Sequence, residues 1–155
     1  MQILMCTKPF AEVFYMNKLS GMKTYKVQSY EELSEMAAQL IKRKVAEKPD
    51  AVLGLATGST PTGMYERLVN EYKQGDLSFE KVKTFNLDEY VGINRSHPQS
   101  YYQFMQHHLF KSIDVKEENI YIPNGFADNP LRECERYDQK LKESGPVDLQ
   151  VLGLG

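Results

Sequence analysis

The run Ala51-Val52-Leu53-Gly54-Leu55 contains no polar side chain and ends in Ala56-Thr57-Gly58-Ser59-Thr60-Pro61. A half-exposed strand would alternate apolar and polar residues, and the run is too short for a buried helix. A short, wholly apolar segment closed by a turn suits a strand buried on both faces of a parallel sheet. Parallel strands need crossover connections, usually helices. This run therefore commits the chain to alternating strands and helices.

The flanking sequence follows that pattern. Lys23–Val27 reads as a first strand. Ser29 stands three before Glu32, a capping-box spacing that predicts a helix start. Leu33, Met36, Ala37, Leu40, Ile41 and Val45 then recur at helical spacing, and Pro49 stops the helix. A second helix carries Met64, Leu68, Val69 and Tyr72 and ends near Gly75. Next come a strand at Val82–Leu87, a helix at Tyr101–Leu109 and a strand at Asn119–Ile122. Pro123-Asn124-Gly125 is a turn, and Asn129-Pro130 reads as N-cap and first helical residue. Leu131, Cys134, Tyr137 and Leu141 line the inner face of that last helix, Gly145-Pro146 breaks it, and Leu149–Leu152 is the final strand. The order βαβαβαβαβ with short connections predicts an α/β fold: a doubly wound, mainly parallel, Rossmann-like sheet with helices on both faces.

Composition narrows the function. A chain of 155 residues, 41% hydrophobic and 26% charged, makes one ordinary globular domain. Lys and Arg number 19 against 21 Asp and Glu, so no basic surface predicts nucleic-acid binding. No run of about 18 apolar residues crosses a membrane. The two cysteines, Cys6 and Cys134, predict neither a disulfide framework nor a zinc cluster, and fit a reducing cytoplasm. His97, His107 and His108 are too few for a histidine-rich metal site. Met1–Gly21 has no clear period, and Lys8, Pro9 and Glu12 interrupt any signal-peptide core. We read residues 1–21 as an extension, Met22 as the natural start and 22–155 as part of one α/β domain.

In such sheets ligands bind beyond the carboxyl ends of the strands. Three places qualify. In the first, Thr57-Gly58-Ser59-Thr60 leaves a buried strand and enters a helix at Pro61, offering backbone N–H groups, hydroxyls and a helix dipole to an anion. No Lys follows the last glycine and no GxGxxG is present, so a small phosphate monoester fits better than a nucleotide. A capped helix after a turn has the same composition. The second is Asp88-Glu89 at the end of Thr84-Phe85-Asn86-Leu87. Adjacent residues of an extended chain face opposite ways, so only one carboxylate can enter a pocket, where partial desolvation would suit a general base. A solvated acidic pair is the plainer alternative. The third, Gly153-Leu154-Gly155, ends the chain at the functional edge and reads as a truncation.

Weaker candidates follow. Tyr101, in Ser100-Tyr101-Tyr102, places a phenol in the pocket or in the core. His97-Pro98 opens a turn. His107 and His108, consecutive on a helix, face about 100° apart and read as surface or packing residues. Arg132–Glu143 reads as a solvated helix face.

With these residues in view the chain resembles the glucosamine-6-phosphate deaminases. The resemblance rests on LGLATGSTPTGMY, KVKTFNLDEYVGI, HPQSYYQFM, IPNG and DLQVLGLG, and covers about Lys23 to Gly155. LATGSTP alone is shared in looser form with 6-phosphogluconolactonases. The resemblance implies conversion of glucosamine 6-phosphate and water to fructose 6-phosphate and ammonia, with no metal or organic cofactor. It implies that Asp88 takes the C2 proton of the opened sugar and returns it to C1, and that Gly58, Ser59 and Thr60 hold the sugar phosphate; Thr57 and Tyr101 are further candidates for substrate contact. A sugar phosphate is the implied small-molecule partner, with homo-oligomerisation left open. The family follows its LQVLGLG strand with a segment of the form N-G-H-I-G-F-N-E-P, carrying the ring-opening histidine, an acid and a supporting glutamate. That segment is absent here, so the chain alone is expected to be inactive. A lactonase-like hydrolase and a non-catalytic sugar-phosphate-binding module are the competing readings.

Overall fold

A computed structural model describes residues 3–5 and 25–153. The elements are β1 (Ile3–Met5), α1 (Tyr30–Glu47), β2 (Val52–Leu55), α2 (Thr62–Lys73), β3 (Lys83–Asn86) and β4 (Asp88–Tyr90). They continue with α3 (Tyr101–His108), β5 (Ile120–Tyr121), α4 (Pro130–Ser144) and β6 (Leu149–Gln150), and two 3₁₀ turns at Phe110–Ser112 and Glu117–Asn119 link α3 to β5. The expected capping at Ser29 is present: its hydroxyl accepts the Glu32 N–H at 3.1 Å, while Glu32 reaches back to the Gln28 N–H at 2.7 Å. Asn129 caps α4 through the Arg132 N–H, with Pro130 in the first turn.

Four strands form a parallel sheet in the order β5-β3-β2-β6. β2 is buried along its whole length, as its apolar run requires. On one face, α1, α2 and α3 bring Ile41, Val45, Leu68, Tyr65 and Met105 onto Leu53 and Leu55. Each such buried side chain contributes about 1.5–3 kcal/mol. On the other face α4 lays Tyr137, Cys134 and Leu141 over Val52 and Phe85. The Asp148 carboxylate accepts from Lys48 Nζ and from the Val52 N–H at 2.8 Å, which fixes β6 beside β2. The chain thus winds β2→β3→β5 one way and returns through α4 to set β6 on the far side of β2. The reversal puts a crevice at the carboxyl ends of β2, β3 and β6.

Four expectations are corrected. Tyr25–Val27 is not a strand: it pairs with no described strand and leads directly into the α1 cap, while Lys23 and Thr24 lie outside the described residues. Val82–Leu87 is shorter than expected, and a separate strand, β4, follows and pairs antiparallel with β1, Met5 opposite Asp88. Leu131 is 77% exposed, because the first turn of α4 stands clear of the sheet. Glu133 turns inward instead, at 6% exposure, accepting the Asn124 N–H at 2.8 Å and bonds from Arg136, so Arg132–Glu143 is not wholly solvated. Cys6 and Leu154-Gly155 lie outside the described residues, as does the rest of the 1–21 extension apart from β1. No described helix is long and apolar enough to cross a membrane.

Candidate active site

The crevice opens into a cavity of about 830 Å³ lined by Thr57–Thr60, Asp88, Tyr90, Tyr101 and Gly153, among others. All the sequence-predicted site residues therefore meet in one place. β2 delivers the loop, the β3–β4 junction delivers Asp88, and α3 delivers Tyr101. Gly153, past β6, closes the third side.

The loop is built to leave its amides free. Gly58 has φ +98°, a left-handed conformation that costs a residue with a Cβ roughly 1–2 kcal/mol. Pro61 stands in helical dihedrals just before α2 and gives no side-chain cap, and the first turn of α2 holds no acid. The N–H groups of Gly58, Ser59 and Thr60 meet no acceptor among the described residues. The carbonyls, by contrast, are tied back. Thr62 Oγ1 donates to Gly58 O at 3.1 Å, and the buried Tyr65 hydroxyl donates to Ala56 O at 2.6 Å. The result is a cluster of free amides at a helix N-terminus, an arrangement that suits an anion.

The acidic pair divides as strand alternation requires. Asp88 faces the cavity, half-buried, and its pKa is raised, first by desolvation and then by the charge of Glu89. Glu89 faces inward at 2% exposure. Its Oε1 accepts the N–H groups of Tyr90 and Tyr101, both at 2.9 Å, and its Oε2 accepts that of Tyr102 at 3.1 Å. Ser100 Oγ takes the next amide, Gln103 N–H, at 3.1 Å. Glu89 is thus the anion of the α3 N-terminus, a role the sequence reading missed. Its signal would have been the helix start twelve residues on, which only the tertiary path brings to it.

Tyr101 joins the two sides. Its ring packs 4.5 Å from that of Tyr90. Burial pushes its phenol above the ordinary range, hydrogen bonding with Tyr90 and the charge of Asp88 add to this, and the Thr57 hydroxyl opposes it. Behind the site, Asn86 Nδ2 donates to Leu55 O at 3.3 Å, and the Tyr137 hydroxyl donates to Asn86 O at 2.7 Å, locking the tips of β2 and β3 together. His107 and His108 pack as expected, the His108 ring 4.3 Å from Phe104, but both also form part of the cavity wall. Burial and the neighbouring His107 lower the pKa of His108, against the pull of Glu66.

An α/β crevice that pairs a loop of free amides with a desolvated carboxylate is the arrangement to set beside known proteins. Residues 25–155 match the model of the glucosamine-6-phosphate isomerases/6-phosphogluconolactonase, and the chain belongs to that family. It is 50% identical over 134 residues to a glucosamine-6-phosphate deaminase of Thermoanaerobacter sp. (strain X514), covering 86% of this chain and 53% of that one. It is 52% identical over the same length to the glucosamine-6-phosphate deaminase of Clostridium botulinum (strain Langeland), covering 55% of it. A solved monomeric glucosamine-6-phosphate deaminase superposes with a TM-score of 0.84 at 46% identity, over 86% of this chain and 56% of that one. A 6-phosphogluconolactonase from Plasmodium vivax shares the fold, with a TM-score of 0.72 at 24% identity, over 94% of this chain and 52% of that one. The chain spans about half the length of the curated relatives it matches.

Proposed function

We propose that this chain is the N-terminal part of a glucosamine-6-phosphate deaminase and supplies that enzyme's phosphate seat and its proton-transferring base. The observation that carries the reading is the single cavity holding both the free amides of Gly58–Thr60 and the Asp88 carboxylate. The identity of about half to deaminases of two bacterial genera supports the substrate.

In the open-chain sugar, C1 is an aldehyde and C2 carries the amine and an acidic hydrogen. Asp88 takes the C2 proton, electrons move toward the C1 oxygen, that oxygen gains a proton as the nitrogen gives one up, and the same carboxyl group returns the C2 proton to C1. The product is a ketimine at C2. Water adds to it, the C2–N bond breaks, and fructose 6-phosphate and ammonia leave. A carboxylate with a raised pKa suits both halves of this transfer: it is basic enough to accept the proton and acidic enough to give it back. The loop amides and hydroxyls hold the phosphate and so fix C2 against Asp88. A cytoplasmic site fits a chain with two cysteines and a phosphorylated substrate.

The test is ammonia release with solvent deuterium appearing at C1 of the ketose, in the enzyme extended past Gly155. Met1–Gly155 alone is expected to bind the sugar phosphate and release no ammonia, since by the resemblance the ring-opening residues lie in the part of the relatives that this chain does not cover. Hydrolysis of 6-phosphogluconolactone without ammonia release would establish the lactonase reading in its place.

A further inference from the structure

The amides of the anion seat need something to aim them, and the structure places one side chain where it can. Tyr30 is the first residue of α1, 29 positions before Ser59 in sequence. Its hydroxyl is within donating distance of the carbonyl oxygens of Ser59, at 2.9 Å, and Thr60, at 3.1 Å. The same oxygen accepts the Gly63 N–H at 2.8 Å. One hydroxyl therefore binds both the loop and the first turn of α2. Gly63 makes this approach possible, since a Cβ there would collide with Tyr30 Cε1 and Ser34 Oγ.

The consequence follows from peptide geometry. In a trans peptide the C=O and N–H point opposite ways, and the described residues contain no cis bond. Ser59 C=O accepts from the Tyr30 hydroxyl and, more weakly at 3.4 Å, from the Thr62 N–H, and holding it there turns the Thr60 N–H the opposite way, toward the cavity that Ser59 and Thr60 line. Pro61 has no N–H, so Thr60 carries the last loop amide before α2. Consuming the Gly63 N–H at Tyr30 also leaves the free amides grouped on the loop.

We infer that Tyr30 is a positioning residue of the phosphate seat: its hydroxyl fixes the Ser59–Thr60 peptide so that the Thr60 N–H faces the bound anion. This rests on the sugar-phosphate reading above. Tyr30 does not line the cavity and acts through the loop.

Calorimetry with glucosamine 6-phosphate, inorganic phosphate and glucosamine tests it on three proteins: the wild type, Tyr30→Phe and Ser29→Ala. Tyr30→Phe keeps the ring and removes the hydroxyl. Ser29→Ala weakens the same helix end by removing its cap, without touching the loop. Tyr30→Phe should weaken both phosphate ligands roughly tenfold, the scale of one hydrogen bond to a charged group. Ser29→Ala should bind them as the wild type does, although its melting temperature falls. Equal affinity in Tyr30→Phe and wild type overturns the inference. So does equal weakening in both variants, which would make Tyr30 a general prop of α1. If the wild type binds glucosamine as tightly as its phosphate, the sugar-phosphate reading itself fails and the inference with it. A Tyr30→Phe protein too unstable to titrate at room temperature is measured in the cold. Wild-type affinity in the folded fraction there overturns the inference, and tenfold loss supports it.

Discussion

Two helices, α2 and α3, begin at the wall of the same cavity, and their N-termini are finished in opposite ways. At α3 every early amide is taken: Glu89 holds those of Tyr101 and Tyr102, and Ser100 holds that of Gln103. At α2 the preceding residue, Pro61, gives no side-chain cap, Tyr30 takes only the Gly63 N–H, and the loop amides before the helix stay open. A helix N-terminus stabilises an anion wherever that anion comes from. At α3 the chain supplies its own, which rigidifies the wall that carries Tyr101. At α2 the place is left for a ligand. The acidic pair shows the same division one residue apart. Glu89 is saturated with donors and structural, while Asp88 is half-buried, short of donors and available for chemistry.

The largest effect that would break this contrast lies at Asp88. On the proposed function, Asp88→Asn should lower deaminase turnover by about 10²–10⁴-fold, the scale of a lost general base, while substrate binding holds. Near-normal turnover would remove Asp88 from the mechanism. Stability should move the other way. The folded pKa of Asp88 is raised, so the native state binds a proton more tightly than the unfolded chain. As pH rises from the ordinary carboxylate range through the raised value, stability falls, and it stays lower above that. Asp88→Asn is free of this penalty, so its melting temperature at neutral pH should equal or exceed the wild type's.

Glu89→Ala should do the reverse. It strands three partly buried N–H groups and should cost about 3 kcal/mol in urea unfolding, with any loss of activity following from loss of α3 placement. A stable Glu89→Ala protein lacking turnover would mean that Glu89, not Asp88, carries the chemistry. The smallest of the three effects belongs to the open end. Ser59→Ala should weaken glucosamine 6-phosphate binding by about 1–2 kcal/mol, one hydrogen bond to a charged group, with little change in stability. An unchanged affinity would place the phosphate elsewhere in the cavity.

What could be read from the sequence divides along the same line. The open end was legible because its signals are local: an apolar strand, a glycine turn and a proline before a helix all fall within Ala51–Pro61. The split of Asp88 from Glu89 was legible too, since alternation is a property of adjacent residues. The caps at Ser29 and Asn129 followed from spacing alone. The closed end was not legible. Glu89 meets α3 only because the chain turns back through Gly92–Ser100, and Tyr30 meets the loop only because α1 packs on α2. Leu131 failed for the same reason: periodicity gives the face of a helix but not where the sheet beneath it stops. β4 was missed because Leu87 continues the alternation set by Phe85 and Asn86 while the chain leaves the sheet.

The central claim is that a single ligand spans both regions. Titrating glucosamine 6-phosphate into the ¹⁵N-labelled chain tests it most directly. The amides of Gly58, Ser59 and Thr60 on one wall and of Asp88 and Tyr90 on the other should shift together along one binding curve, with glucosamine lacking the phosphate shifting both far less. Shifts confined to one wall, or two walls following two different affinities, would contradict the account.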